Sequence, residues 1–115
     1  MTLPSRYEEF VRIGNFSKDE RDSKLLAGLG LAGEGGEVAE IVKKHLLHGK
    51  DLDRKHLREE LGDVLWYLVH ACNTFDIPIA EVAQGNIMKL CARYPEQYGI
   101  PEDWLGHQEP RREGL

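Results

Sequence analysis

Four acidic residues form two pairs in this chain, and both pairs have i, i+3 spacing. Glu34 and Glu37 make the first pair, and Glu60 and Asp63 make the second. On a helix this spacing places both carboxylates of a pair on one face. Carboxylates held together beside an apolar core repel one another and resist desolvation unless a cation is bound. Oxygen ligands suit hard cations, so the pairs predict a Mg²⁺ or Mn²⁺ site.

Acids at i, i+3 are also common on solvated helix surfaces, where they bind nothing. The surroundings of these two pairs favour a binding site instead. Each pair adjoins glycine in the sequence. On a helical wheel, Glu34 falls inside the apolar stripe of its helix and Glu37 falls at the edge, while Glu60 and Asp63 flank the stripe of the next helix. We therefore expect both pairs at the boundary of the core.

A third set of polar residues fits the same chemistry. Asn86, Lys89 and Arg93 fall within about 60° of one another on a predicted helix. An amide, an ammonium and a guanidinium on one face can hold an anionic substrate such as a phosphate. The simpler interpretation is that the two basic residues neutralise nearby acids. No serine or cysteine lies in a nucleophile motif, so water activated by a metal is the expected nucleophile.

The pattern of apolar residues predicts an all-α fold with four main helices and no strand. The helices are expected at about 5–13, 23–47, 54–75 and 78–94. Ser17 and Glu20 have the spacing of a capping box, Asp51 or Asp53 is expected to cap the third helix, and Gly49 to end the second. The third helix should bury an apolar stripe of Leu57, Leu61, Val64, Leu65, Leu68, Ala71, Cys72 and Phe75, with Trp66 directed toward solvent or a partner.

Length and charge narrow the possible functions. The 115 residues suffice for a single domain over 1–115, with its motifs at about 25–96 and an irregular tail at 97–115. A net charge of −5 without a basic run argues against binding to nucleic acid polymers. The absence of a signal peptide or an apolar stretch of about 20 residues argues against membrane insertion. Cys72 and Cys91 fit no zinc or redox spacing, so we expect reduced thiols in a cytoplasmic protein.

The segment GLGLAG at 28–33 matches the GxGxxG pattern of dinucleotide-binding loops. That motif functions between a buried strand and a helix within a βαβ unit, and no strand precedes it here. The acids that follow would also repel a pyrophosphate. We therefore expect these glycines inside a helix, where a close approach by a partner helix or a ligand offsets their low helix propensity.

Three segments together resemble the motifs of the MazG-like nucleotide pyrophosphohydrolases, within the all-α NTP pyrophosphatases. They are LGLAGEGGEVAE at 29–40, EELGDVLWY at 59–67, and NIMKL at 86–90 with RYP at 93–95. The resemblance covers about 25–96 with the motifs in order. It implies an all-α helical bundle whose four-helix core is completed by formation of a homodimer or homotetramer.

The resemblance also implies an activity, hydrolysis of a nucleoside triphosphate to the monophosphate and pyrophosphate, with clearance of the nucleotide pool as one role. It implies catalytic acids that hold Mg²⁺, or Mn²⁺ in its place, at Glu34, Glu37, Glu60 and Asp63. It implies contacts with substrate phosphates or sugar at Asn86, Lys89 and Arg93. Some relatives carry a further acid directly before the first of these glutamates, and here that position is Gly33.

Two other functions are compatible with the same residues. Phosphoribosyl-ATP pyrophosphohydrolase is a related helical enzyme, but its usual Gly-Glu-Glu-Ala segment is replaced here by GEGG at 33–36. A non-catalytic helical interaction module would use the acids only for solubility or partner choice, and it would not depend on a metal. Recognition of the base is expected to involve aromatic residues: Tyr7, Phe10, Phe16, Trp66 and Trp104.

Overall fold

The computed structural model describes residues 3–15, 17 and 19–98, and these residues are helical apart from the connections. The helices are α1 (Leu3–Ile13), α2 (Glu20–Leu47), α3 (Arg54–Thr74) and α4 (Ile79–Arg93). No strand occurs in the ranges described, and the prediction of an all-α fold with four main helices is confirmed. Phe16, Trp104 and most of the predicted tail lie outside the described residues.

Aspartate side chains begin both of the long helices. The Asp19 carboxylate accepts a hydrogen bond from the backbone N–H of Arg21 at 2.9 Å, so α2 begins at Glu20. This start corrects the prediction, which placed the capping residue at Ser17 and the main helix from 23. The Asp53 carboxylate accepts from the backbone N–H of His56 at 3.1 Å, which chooses Asp53 over Asp51 as the cap of α3. These bonds satisfy N–H groups that have no partner within the helix.

The predicted end of α2 is confirmed. Gly49 follows the last turn with φ +65°, a conformation that glycine adopts without steric cost. The backbone N–H of Lys50 then donates to the carbonyl of Lys44 at 3.3 Å. The chain reverses after α3 at Asp76, which has φ 54°.

The chain divides into two compact units, Met1–Pro78 and Ile79–Leu115. In the first unit, α3 packs against both α1 and α2. Its buried apolar side chains come from all three helices: Val11, Ala27, Ile41, Val69 and Cys72. In the second unit, α4 carries the segment from which the third motif comes.

The face that α3 buries agrees with the predicted stripe only in part. The stripe residues that are buried or half-buried are Leu57, Val64, Leu68, Ala71 and Cys72. Leu61, Leu65 and Phe75 keep 49%, 44% and 51% of their surface exposed, while Val69 is buried although the stripe omitted it. Trp66, which was predicted to point toward solvent or a partner, is half-buried, and its ring stacks on the His70 ring at a centroid distance of 5.1 Å. The physical reason is that α3 contacts two helices, so its buried surface is set by α1 and α2 together and not by one stripe.

Polar contacts fix α3 to both of its neighbours. The His70 side chain is 1% exposed, and its Nε2 lies 3.1 Å from the Ser23 carbonyl oxygen on α2. On the other side, the Asn73 amide donates to the Glu8 carbonyl oxygen of α1 at 3.0 Å. Both cysteines are free thiols as expected, and Cys72 is buried. Burial, followed by the nearby Glu8 carboxylate, raises the pKa of the Cys72 thiol.

Candidate metal centre

The helices α2 and α3 run antiparallel, which brings the two acid pairs into register. Ser23 in the first turn of α2 meets His70 near the end of α3. Further along α2, Gly30 meets Tyr67, and Glu34 then meets Glu60. The order along one helix is thus reversed along the other.

Three carboxylates come together one turn beyond the contact of Gly30 with Tyr67. One oxygen from each of Glu34, Glu60 and Asp63 lies within 4.8 Å of the others. Glu34 and Glu60 are half-buried, and Asp63 is exposed. We call these three residues the acidic cluster. Its members come from two helices, so the cluster exists only because α2 and α3 pack together.

The electrostatics of the acidic cluster are repulsive. The pKa of Glu34 is raised, first because its carboxyl shares a hydrogen bond with Glu60. Desolvation and the charges of Glu60, Asp63 and Glu37 raise the pKa further. A shared proton relieves part of this repulsion, and a divalent cation would relieve more of it.

Glu37 lies outside the acidic cluster. It is exposed, one turn beyond Glu34 on α2, and its charge is the smallest of the effects that raise the Glu34 pKa. The predicted place of Glu37 at the edge of the apolar stripe agrees with this exposure. Its role as a fourth ligand stays a prediction.

A histidine and a tyrosine border the acidic cluster. His56, one turn before Glu60 on α3, places its Nε2 3.4 Å from the Glu60 Oε1 and forms an ion pair when protonated. Tyr7 of α1 has a raised pKa, mainly from burial and also from the charge of Asp63. The Tyr7 ring lies 5.8 Å from the Phe10 ring, centroid to centroid. An aromatic pair on α1 thus stands beside the Asp63 side of the cluster.

The predicted substrate-binding residues all lie on α4. Asn86, Lys89 and Arg93 fall within the helix, as the wheel requires, and all three are exposed. They belong to the second unit of the chain, while the acidic cluster belongs to the first. Their contact with a substrate stays a prediction.

The predicted close approach of a neighbouring helix to the glycines of α2 is found at Gly30. A Cβ at Gly30 would lie 2.7 Å from Tyr67 Cζ and closer still to Cδ1 and Cε1, so this glycine does allow a close approach. Gly28, Gly33 and Gly35 face no described atom within 4 Å. The contact of Tyr67 with Gly30 was not predicted, although the spacing of four residues from Asp63 places Tyr67 on the same face of α3.

The donor chemistry of the acidic cluster fits a hard divalent cation. All three groups offer carboxylate oxygens, and the surrounding charges that shift Glu34 are carboxylates too. Mg²⁺ and Mn²⁺ favour oxygen ligands, and Mg²⁺ is commonly held by a few carboxylates with water and substrate phosphates completing the shell. The fit therefore rests on the ligand type and on negative charge that His56 offsets only when it is protonated.

Among the described residues, no helix is both long and apolar enough to cross a membrane.

Comparison with known proteins adds to what the geometry of the site shows. Gene 37 protein of Mycobacterium phage L5 is 43% identical over 70 residues, a match that spans 56% of this chain and 60% of that protein. No solved structure matches the chain. The sequence profile of the MazG nucleotide pyrophosphohydrolase domain matches residues 23–98, which contain the acidic cluster and α4. The chain belongs to the MazG nucleotide pyrophosphohydrolase family.

Proposed function

We propose that this protein hydrolyses a nucleoside triphosphate, in the ribo or deoxy form, to the monophosphate and pyrophosphate in a reaction that depends on a divalent cation. The observation that carries the proposal is the acidic cluster, whose three carboxylates lie within the range of the family match and in the first two segments that resemble the family's motifs. Uncompensated carboxylates at a helix interface are costly without a cation. A triphosphate chain supplies the matching ligand, because its oxygens also bind hard cations.

Each acid has a proposed place in the reaction. Glu34, Glu60 and Asp63 would hold Mg²⁺, with Mn²⁺ able to substitute. Glu37, exposed at the edge, would complete the set as a fourth ligand or as the acceptor of a proton from water. The bound cation would offset phosphate charge and lower the pKa of water. The carboxylates orient the attacking water by accepting its hydrogen bonds.

In the proposed reaction, one bond forms and one bond breaks at the α-phosphorus. A water oxygen forms a bond to the α-phosphorus, and the bond from the α-phosphorus to the oxygen bridging to the β-phosphorus breaks. Pyrophosphate leaves with the electron pair of that bond, and a carboxylate accepts the water proton before releasing it to solvent. Asn86, Lys89 and Arg93 on α4 are proposed to bind the phosphates or the sugar, within one chain or from a partner copy.

A nucleotide panel with Mg²⁺ and detection of pyrophosphate tests the activity. Ribonucleoside, deoxyribonucleoside and modified triphosphates are compared, with phosphoribosyl-ATP included to test the related activity. We expect pyrophosphate release from at least one nucleoside triphosphate and its loss with a chelator. Release from phosphoribosyl-ATP alone would identify the related enzyme instead, and no release from any substrate would contradict the proposal.

Binding of the cation should also stabilise the fold. A ligand that binds only the folded state at 100 times its dissociation constant adds about 2.7 kcal/mol to the free energy of unfolding. We therefore expect Mg²⁺ to raise the melting temperature of the nucleotide-free protein. A non-catalytic interaction module that uses its acids only for solubility would show no such increase.

We further propose that the chain assembles as a homodimer or homotetramer. Large apolar side chains remain exposed on both helices that build the acidic cluster, including Leu29 at 71% and Leu61 at 49%. Leu25 and Leu65 extend each exposed surface by one turn. Such surfaces are commonly covered by association. Light scattering at micromolar concentration checks the mass, and a monomer would contradict the proposal.

A further inference from the structure

The closest contact between α2 and α3 lies at Gly30, where the Tyr67 ring rests against the glycine backbone. A methyl group at this position would overlap three atoms of the ring. Tyr67 is half-buried, and its ring also packs edge-on against Trp66 at a centroid distance of 5.1 Å. The ring therefore has a neighbour on α3 that limits how far it can turn away from α2.

The position of this contact along the helices links it to the acidic cluster. Gly30 precedes Glu34 by four residues, and Tyr67 follows Asp63 by four residues. One helical turn therefore separates the contact from the carboxylates on each helix, a distance of about 6 Å along the axis. Any change in the helix separation at Gly30 is transmitted to the carboxylates with little attenuation.

The neighbouring glycines distinguish this position from a general preference for small residues. Gly28, Gly33 and Gly36 have no described atom within 4 Å of the point that a methyl group would occupy, so a larger residue would meet open space there. The polar contact of His70 with Ser23 lies farther from the acidic cluster, seven residues before Gly30 on α2. Gly30 is thus the glycine whose lack of a side chain sets the helix separation beside the acidic cluster.

We propose that Tyr67 and Gly30 form a positioning contact that sets the distance between Glu34 and the two acids of α3. This inference rests on the proposed function, because it assumes that the acidic cluster holds a cation. Mg²⁺ requires nearly ideal ligand distances, so a shift of about 1 Å between the helices disturbs its binding strongly. Tyr67 acts through the carboxylates and contacts no substrate in this role.

The test measures Mn²⁺ binding to the nucleotide-free protein by electron paramagnetic resonance of free Mn²⁺, at a temperature where circular dichroism shows every variant folded. Gly30→Ala is expected to weaken Mn²⁺ binding about tenfold or more and to lower kcat/KM about 100-fold. Gly28→Ala is the matched control, because it adds the same methyl group to an exposed site on the same helix. Its Mn²⁺ affinity should stay within about twofold of the wild type.

Two variants of the ring separate positioning from general stability. Tyr67→Phe retains the ring and should retain the Mn²⁺ affinity, within about twofold, because the proposed contact involves ring carbons. Tyr67→Leu makes room for a methyl group, so adding Gly30→Ala to this variant should change the Mn²⁺ affinity less than about threefold. A merely structural contact would alter the melting temperature in these variants without this pattern in Mn²⁺ affinity.

The outcomes of the test are distinct. Absence of Mn²⁺ binding and hydrolysis in the wild type would overturn the proposed function, and the inference with it. Normal binding in the wild type and in Gly30→Ala would overturn the positioning contact alone. An equally large loss from Gly30→Ala in the Tyr67→Leu background would also overturn it, because the ring would then not be the cause.

Discussion

Polar groups make opposite kinds of contact at the two ends of the interface between α2 and α3. At one end, His70 is almost fully buried, lies within hydrogen-bond distance of the Ser23 carbonyl and stacks on Trp66. At the other end, Glu34 and Glu60 repel each other when both are ionised, and they share a hydrogen bond only when one of them is protonated. The same pair of helices thus joins through a complementary contact at one end and a repulsive one at the other.

The difference shows which end maintains the fold and which is available for a ligand. In the described residues, no buried side-chain nitrogen or oxygen atom lacks a hydrogen-bond partner. Full satisfaction of this kind is usual for protein interiors. The acidic cluster stands out for a different reason, which is that its three members carry the same charge. Groups with strongly perturbed pKa values concentrate at functional sites. The His70 end should therefore carry stability, and the acidic end should carry activity.

The largest expected effect comes from neutralising the acidic end. Glu34→Gln should lower kcat/KM by about 1,000-fold, since a cation supplies several kcal/mol of transition-state stabilisation and each 1.36 kcal/mol is a factor of about ten. Glu37→Gln is the comparison on the same helix, and its exposed site outside the cluster predicts a smaller loss of about 100-fold. Steady-state kinetics checks the order. A larger loss from Glu37→Gln would indicate that the site is centred nearer to Glu37 than to Glu34.

The next largest effect is expected from removal of the His70 side chain at the complementary end. His70→Ala should lower the free energy of unfolding by about 2–3 kcal/mol, because it removes the hydrogen bond to the Ser23 carbonyl and creates a cavity beside Trp66. Urea denaturation measures the change, with the exposed His48→Ala as a control expected to change by less than about 0.5 kcal/mol. The Mn²⁺ affinity of folded His70→Ala should match the wild type. A lost affinity would show that the two ends are not independent.

The smallest effect is a pH dependence that sharpens the comparison. The folded protein raises the Glu34 pKa above its ordinary value of 4.5, so it binds this proton more tightly than the unfolded chain does. Without a cation, stability should fall as the pH rises from 4.5 through the folded pKa, and the loss is complete above it. Melting temperatures from about pH 4.5 to 7.5 should therefore show a steeper decline for the wild type than for Glu34→Gln. Equal slopes would contradict the repulsion that we infer.

The sequence predicted the helices well because each has its own local signals. Periodic apolar residues, the aspartate before α3 and Gly49 after α2 depend on nearby residues alone. The start of α2 was less certain because Ser17 and Asp19 both precede it, and only the backbone path decides which side chain reaches a free N–H. The acids were found from their type and spacing, without knowledge of the packing.

The arrangement of the acids could not be obtained from spacing. Both pairs have the same i, i+3 pattern, yet Glu34 enters the acidic cluster and Glu37 does not. The selection depends on how α2 and α3 are rotated against each other, which is set by tertiary contacts such as Gly30 with Tyr67. The buried face of α3 was predicted only in part for the same reason, since a wheel for one helix cannot represent contacts with two neighbours.

The rate at which the buried Cys72 thiol reacts can be used to follow the packing of α1 against α3. Cys72 is 5% exposed, and the nearby Glu8 of α1 contributes to its raised pKa. In a Cys91→Ser background, we expect alkylation of this thiol to report how often the packing of α1 on α3 opens. Because Tyr7 on the same helix borders Asp63, the labelling rate also measures how frequently the α1 side of the acidic cluster becomes open.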